Sequence, residues 1–414
     1  MNMHTNRVVI VGGGFGGVRC AMQCAKRLHA GTQIALITDK PYMQYYAALY
    51  RALAGGDPSE ACVPLRDLFH AKRVHVVVDP VVSIEPSARC VCCASGDAYS
   101  YDTLVVALGS QPCFFRIPGV EAHAHTMQSL NDALRLKRHI HDVLAHAREL
   151  PDLERPASAN IVVIGAGATG VEVAGELAVY VRAVAAMHGI DPSAVTIDLV
   201  DALPRVLPLL PQSVSRRVAE RLQRLGVHLF LGRAVHAEDA ESVKLRDVVF
   251  KSRTVVWTAG VSGHSLLGHI DGVTLDKRGR VMVDEHLRAS GLHDVFVIGD
   301  GAATKLSGMA QTALQDADHV ADTIARRMAG KSPRSYKPRN PAYAVPVGPR
   351  WAAVVYGPLR VCGYLGWLLR RAADLKVFCL YLPLRKAISA FCSGGRSAES
   401  CAVCTRHVAP AFIA

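Results

Sequence analysis

The chain has 414 residues, 50% of them apolar and 20% charged, an ordinary globular mix with room for two or three domains and ample cores. No uncharged apolar run reaches the roughly 18 residues of a spanning helix; residues 161–181 come nearest, and Glu172 and Glu176 interrupt them. The formal charge of +12 is lopsided: residues 331–414 carry 13 Lys/Arg against Asp374 and Glu399, so the body is nearly neutral and the C-terminal segment is a cationic appendage that seeks a polyanion.

Taken in order, Val8–Val11 is expected as a first strand, and it begins too early to leave room for a signal peptide. Twelve cysteines in a chain without a secretion signal then point to a reducing compartment. A glycine loop follows, Gly12-Gly13-Gly14-Phe15-Gly16-Gly17. After it come an expected helix over 18–28, with Cys20 and Cys24 as buried packing, and a strand over 33–38. Cys90, Cys92 and Cys93 lie in a strand-like run with no assigned role. Residues 101–109 read as a buried strand ending at a glycine turn, 131–150 as a long helix and 151–159 as a polar linker.

The same grammar then restarts. Residues 161–164 form the next expected strand, Gly165-Ala166-Gly167-Ala168-Thr169-Gly170 the second loop, 171–187 a helix and 195–200 a strand. Further strands are expected over 253–259 and 292–298, and a helix over 309–328. Strands alternating with helices predict parallel sheets. Beyond Lys331, Pro333, Pro338, Pro341, Pro346 and Pro349 break regular structure. Val361, Leu365, Leu368, Ala372, Leu375 and Cys379 then recur at helical spacing on one face, with Arg370, Arg371, Asp374 and Lys376 mostly off it. The Ser/Gly/Cys tail 392–414 is expected to be poorly ordered.

Each loop fits G-x-G-x-x-G between a strand and a helix, which turns a weak pattern into a specific one. In the first, Gly12 makes the tight turn, Gly14 admits a pyrophosphate close to the backbone, and Gly17 lets helix pack on strand. The helix N-terminus offers free amides and a positive dipole end to the phosphates. Asp39, just past the second strand, is the candidate for the ribose hydroxyls. In the second loop Gly165, Gly167 and Gly170 repeat these roles. Asp201 is the acid, with Asp198 as second choice. An acid there repels a 2′-phosphate and favours NADH over NADPH, with Arg205 as the residue that would receive such a phosphate. Two such loops imply two dinucleotides, and a protein holding two most simply moves electrons between them.

These motifs resemble the two-dinucleotide-binding flavoproteins, and within them the type II, non-proton-pumping NADH:quinone oxidoreductases. Residues 101–110 resemble that family's Y-D-x-L-V-x-A-T-G-S segment, with Leu108 in place of Thr. Residues 257–261 resemble the segment closing the NAD domain, and 296–300 the second FAD contact, whose Asp (here Asp300) binds the ribityl chain. The sharpest match is Ala310-Gln311-Thr312-Ala313-Leu314-Gln315, which resembles the A-Q-x-A-x-Q quinone-site motif. The resemblance implies that Gln311 and Gln315, four apart on one helix face, serve the quinone, and that Glu172 lies at the nicotinamide and flavin as orienting group or proton relay. It extends the expected cofactor-binding set to Phe15, Gly16, Lys40, Ala107, Gly109, Thr169, Gly260, Gly299 and Ala310. Two departures are the acid at Asp39, one residue later than in many relatives, and Ala47 where a proline is common. The tyrosine-rich stretch Pro41–Tyr50 leaves a flavin- or quinone-facing loop and plain core packing both open.

The expected fold is therefore α/β, with two doubly wound, Rossmann-like nucleotide-binding domains of glutathione-reductase-like type. FAD is assigned to 1–115 and 292–330, NADH to 116–291, and membrane docking to an amphipathic segment at 331–391. The implied activity passes a hydride from NADH to FAD and two electrons on to a membrane quinone, ubiquinone or menaquinone. The implied place is the cytoplasmic or matrix face of an energy-transducing membrane, with the basic segment on its anionic surface. A homodimer is open, and no nucleic-acid partner is expected, since the basic end lacks an aromatic stacking platform. Rival readings are a soluble NAD(P)H-dependent reductase for a protein acceptor, a sulfide:quinone oxidoreductase-like enzyme in which Cys113 would matter, and a non-catalytic basic flavoprotein. A zinc site at Cys392, Cys401, Cys404 and His407 is nominal only, and no metal is expected.

Overall fold

The computed structural model describes residues 6–147, 149–151 and 154–393. In chain order the elements that matter begin with β1 (Arg7–Val11), α1 (Phe15–Arg27), β2 (Gln33–Thr38), β3 (His75–Val78) and β4 (Thr103–Val106). They continue with β5 (His125–Thr126), β6 (Asn160–Ile164), α2 (Ala168–Met187), β7 (Thr196–Asp201), β8 (Val227–Leu231) and β9 (Thr254–Trp257). Last come β10 (Val295–Val297), α3 (Ala310–Met328), β11 (Tyr343–Pro346), β12 (Ala352–Tyr356), β13 (Leu359–Gly363), α4 (Tyr364–Tyr381) and α5 (Leu384–Ser393).

The chain divides into two compact units. The first comprises Met1–Gln44, Cys62–Gln111 and Val261–Pro341. Its five-stranded sheet has the order β10-β4-β1-β2-β3, and every pairing is parallel. Both faces are covered, so β1 and β4 are apolar along almost their whole length rather than alternating. Val9, Val11, Leu104 and Val106 pack on one face with Leu267, Ile270, Val281 and Val297. α1 and α3 lie against each other, and a Cβ on Gly16 would meet Ile298 Cδ1 at 3.2 Å and Ala313 Cβ at 3.7 Å.

The second unit comprises Tyr45–Ala61, Pro112–Gly260 and Ala342–Ala414. It repeats the plan with the parallel order β5-β9-β6-β7-β8. Val162, Ile164, Val200, Val255 and Trp257 share a core with Val235, Val243, Leu245 and Phe250 from a three-stranded antiparallel sheet.

Three boundaries differ from those the sequence suggests. Residues 261–291 belong to the first unit, because Leu267, Ile270 and Val281 complete its core. Residues 45–61 belong to the second. The segment after Lys331 is not one body: residues up to Pro341 stay with the first unit, and those from Ala342 join the second. There the expected proline-broken stretch contains an antiparallel sheet, β11-β12-β13. Pro346 is tolerated because it is the last residue of an edge strand.

Candidate active site

The two glycine loops are built alike, atom for atom in their steric logic. Gly12 has φ +112°, and a Cβ there would sit 2.3 Å from the Ala107 carbonyl oxygen; Gly165 has φ +107°, and its Cβ would sit 2.6 Å from Ala259 Cα. Gly17 and Gly170 press on the loops themselves, each with a virtual Cβ under 2 Å from the carbonyl oxygen of Gly12 or Gly165 respectively. Gly14 and Gly167, the middle glycines, face open space, with nothing within 4 Å. They are the N-caps of α1 and α2, and neither helix has a side-chain cap. Turn, open approach and uncommitted helix amides together form a cradle for a pyrophosphate, so the residues present fit two dinucleotides.

Around the first loop, Asp39 stands just past β2 with its side chain 58% exposed and Lys40 Nζ 3.3 Å away. The preceding residue, Thr38, is buried against Gly13. At the same C-terminal edge of that sheet, Gly109 turns at φ +72° after β4. Ser110 Oγ donates to Asp300 Oδ2 at 3.1 Å, and the Gly308 amide donates to Oδ1 at 3.1 Å. Burial pushes the Asp300 carboxyl up, and these two donors pull it back. Gly299, at φ +70°, lies beside it.

Around the second loop, Asp201 ends β7 and accepts from the amides of Ala166 and Leu203, which fixes the loop to the strand. Asp198 points elsewhere, into a hydrogen bond with His228 at 3.0 Å. Arg205 is committed to the carbonyls of Pro208 and Leu210 in its own turn. Thr258 Oγ1 donates to the carbonyls of Ile164 and Gly165, so β9 backs the loop. Gly260 leaves room for the Phe115 ring, and its carbonyl accepts from the Cys113 amide. Thr169 is exposed in the first turn of α2.

Glu172 lies in the second turn of α2 rather than the first, so a simple dipole-complementing role does not describe it. Burial pushes its carboxyl up to about 7, against the pull of Arg370 and Arg51. Glu176, one turn on, is also pushed up to about 7 by burial. Carboxyls in that range exchange protons readily at neutral pH.

The charged groups near this pair were not expected from the sequence. Arg51 grips Glu60 with two hydrogen bonds of 2.8 and 2.6 Å, donates to Tyr50 Oη at 2.8 Å, and reaches Asp374 at 3.4 Å. Arg370 and the Tyr45 hydroxyl also donate to Asp374, and Arg371 reaches Glu60 at 3.3 Å. Glu60, Arg370 and Asp374 are buried. The tyrosine-rich stretch therefore divides: Tyr45 and Tyr50 are buried in this cluster, and Tyr46 is exposed.

The placement of Arg370 and Asp374 adds what the helical spacing did not indicate: the side of the C-terminal helix away from its apolar stripe is the buried one. α4 buries Gly366, Arg370, Asp374, Phe378 and Tyr381, a stripe at steps of four and three. Leu365, Leu368 and Leu369 are exposed, as are Leu384 and Ile388 on α5. The cause is local: Gly366 lets the helix approach β12 (its Cβ would lie 2.2 Å from the Ala352 carbonyl oxygen), and that contact turns the charged pair inward. A sequence signal existed, an Arg and an Asp four apart on one face of the helix, the spacing at which the two can pair.

Gln311 and Gln315 fall one turn apart at the start of α3, beside Ala310. They do not share one environment. Gln311 is exposed, and Gln315 faces the chain beyond the helix: its Nε2 donates to the Arg339 carbonyl at 3.2 Å, and its Oε1 accepts from the Arg339 amide at 2.7 Å. Among the described residues, no group of His, Cys, Asp and Glu could hold a metal ion. Cys401, Cys404 and His407 lie outside the described residues.

Residues 6–317 match the family of pyridine nucleotide-disulphide oxidoreductases. The type II NADH:quinone oxidoreductase Ndh of Mycobacterium tuberculosis is 34% identical over 384 residues, which cover 88% of this chain and 82% of that one. The chain belongs to the type II NADH:quinone oxidoreductase family. A type II NADH:quinone oxidoreductase of Staphylococcus epidermidis is 30% identical over 91% of this chain and 96% of its own. The fold agrees as well. The solved structure of NDH2 from Plasmodium falciparum in complex with NADH superposes with a TM-score of 0.84 at 15% identity, covering 96% of this chain and all of that one. Among the described residues of this family member, no helix is long and apolar enough to cross a membrane.

Proposed function

We propose that the chain oxidises NADH through FAD and reduces a membrane quinone without pumping protons. The observation that carries this reading is the pair of sterically matched glycine cradles in a chain of this family. Bound FAD would supply the redox chemistry, a hydride acceptor toward NADH and a two-electron donor toward the quinone. In this reading the first unit holds FAD through Gly12, Gly14 and Gly17, with Asp39 toward a ribose and Asp300 toward the ribityl chain. The second holds NADH through Gly165, Gly167 and Gly170, with Asp201 toward the ribose. Arg205, tied to its own turn, offers nothing to a 2′-phosphate, which favours NADH over NADPH. Glu172, poised near neutral pH, gives and takes a proton during quinone reduction. Gln311 donates from its exposed amide to a quinone carbonyl, while Gln315 holds the chain beyond α3 in place.

The same reading places the protein on a membrane surface, at the cytoplasmic or matrix face. The outward leucines of α4 and α5 enter the interface, and the basic C-terminal segment meets anionic headgroups. A homodimer through that apolar face is the second occupant to test. The deciding assay is NADH oxidation by purified protein with a short-chain quinone, run beside ferricyanide. Glu172→Ala is expected to slow the quinone reaction about a hundredfold, the usual scale of a lost proton-transfer group, and Gln311→Ala about tenfold, the scale of one lost hydrogen bond, with ferricyanide reduction spared in both. Purified protein without flavin, or a flavoprotein inert toward quinone, would refute the proposal.

A further inference from the structure

After α3 the chain runs without helix or strand from 331 to 341 and stays within the first unit. This strap is fastened at several points. Arg326 Nε donates to the Ser332 carbonyl at 2.7 Å, His286 Nδ1 meets the Arg334 carbonyl at 2.9 Å, and the Tyr336 amide donates to the Glu285 carbonyl at 2.6 Å. The Gln315 amide then closes on Arg339.

One fastening differs in kind. The Tyr336 hydroxyl donates to Asp316 Oδ1, and Asp316 is 0% exposed. The other oxygen of that carboxylate accepts from the Gly299 amide at 2.9 Å. A fully buried carboxylate is tolerable only when its oxygens are met, and here one partner comes from the strap and the other from the turn Gly299–Gly301. Gly299 sits in the left-handed region at φ +70°, so the turn depends on a held amide. The next residue is Asp300, held in turn by Ser110 and Gly308. Burial pushes the Asp316 carboxyl up to about 6, with the Tyr336 and Gly299 bonds opposing it.

We infer that Tyr336 is a positioning residue for the flavin: through Asp316 it holds the Gly299–Gly301 turn, and with it Asp300, in the geometry that receives FAD. The inference rests on the assignment of FAD to the first unit. Removing the hydroxyl leaves Asp316 Oδ1 unmet, and the carboxylate then turns or takes up a proton, releasing its hold on Gly299. The strap that follows the quinone-motif helix thus reports into the flavin-binding turn rather than merely covering the surface.

The test is a titration of apoprotein with FAD, read by flavin fluorescence, together with the midpoint potential of the reconstituted protein. Tyr336→Phe keeps the ring, its 5.0 Å packing against His319 and the backbone bond to Glu285. It is expected to weaken FAD binding about tenfold, the scale of one lost hydrogen bond to a buried carboxylate, and to shift the potential. Asp316→Asn, which accepts from Gly299 and donates to Tyr336 Oη, is expected to retain most of the affinity. His286→Ala loosens the strap at Arg334 without touching Asp316, and is expected to bind FAD as the parent does. The inference is overturned if Tyr336→Phe binds FAD with unchanged affinity and potential, or if His286→Ala weakens binding equally. A parent protein that takes up no FAD would overturn the assignment beneath it as well, a result readily told apart from the first.

Discussion

At the residue scale, glycines with the same letter do different work. Gly14 and Gly17 belong to one motif, yet a methyl group on Gly14 meets open space while one on Gly17 would lie 1.9 Å from the Gly12 carbonyl oxygen. Gly14→Ala is therefore expected to fold and to lose about tenfold or more in FAD affinity by crowding the phosphates, whereas Gly17→Ala breaks the loop itself. Flavin absorbance beside a thermal melt separates the two outcomes. Glu238 gives a pH prediction. Its carboxyl oxygens are buried and without a hydrogen-bond partner among the described residues, and burial pushes it from the usual 4.5 to about 8. The folded chain thus holds a proton that the unfolded chain has released, so stability is full below pH 4.5, falls as pH rises, and levels off above about 8. Melting temperatures of Glu238→Gln should lose that slope between pH 4.5 and 8; an identical slope in both proteins would show the group to be solvated. The packing of Gly17 on Gly12 was legible because it lies within one motif. The contacts of Tyr45 and Arg51 with Asp374, and of Glu60 with Arg371, were not, because more than 300 positions separate the partners.

At the element scale, α4 shows what periodicity leaves open. Its apolar stripe was legible, but the stripe says only that one face avoids water, not whether it meets the core or something outside. Here the exposed leucines share the helix with a buried Arg370–Asp374 pair, which inverts the usual ranking of mutational damage. Arg370→Leu leaves Asp374 buried with one cation fewer and is expected to cost about 3–5 kcal/mol, measured by denaturant unfolding. Leu365→Asp with Leu368→Asp is expected to change stability by less than about 1 kcal/mol and to abolish binding to anionic vesicles. Vesicle binding by the double variant equal to the parent's would remove the membrane reading. Truncation before α4 is a poorer test, since it also strips Tyr45, Arg51 and Glu60 of their partners. The sheet β11-β12-β13 escaped the sequence for a related reason: five prolines advertise irregularity, and only the pairing register shows that Pro346 ends a strand instead of interrupting one.

At the scale of the whole molecule, the duplicated strand–loop–helix plan was plain from the sequence, because parallel strands covered on both faces spell long apolar runs and each run ends at a glycine turn. The division into units was less plain. Core completion decides it, and Leu267, Ile270 and Val281 lie far along the chain from the strands they cover. Part of the charge imbalance read from composition, Arg370, Arg371, Lys376, Arg385 and Lys386, lies on the same two helices as the outward leucines of α4 and α5. On the proposed membrane reading, that outward apolar face has a kinetic consequence. An enzyme seated by it on a bilayer samples quinone by its mole fraction in lipid, not by its concentration in the tube. At fixed total quinone and enzyme, adding empty vesicles should slow turnover by surface dilution, with a water-soluble acceptor unaffected. A Michaelis constant for quinone would then be a property of two dimensions, comparable between preparations only when the lipid is counted.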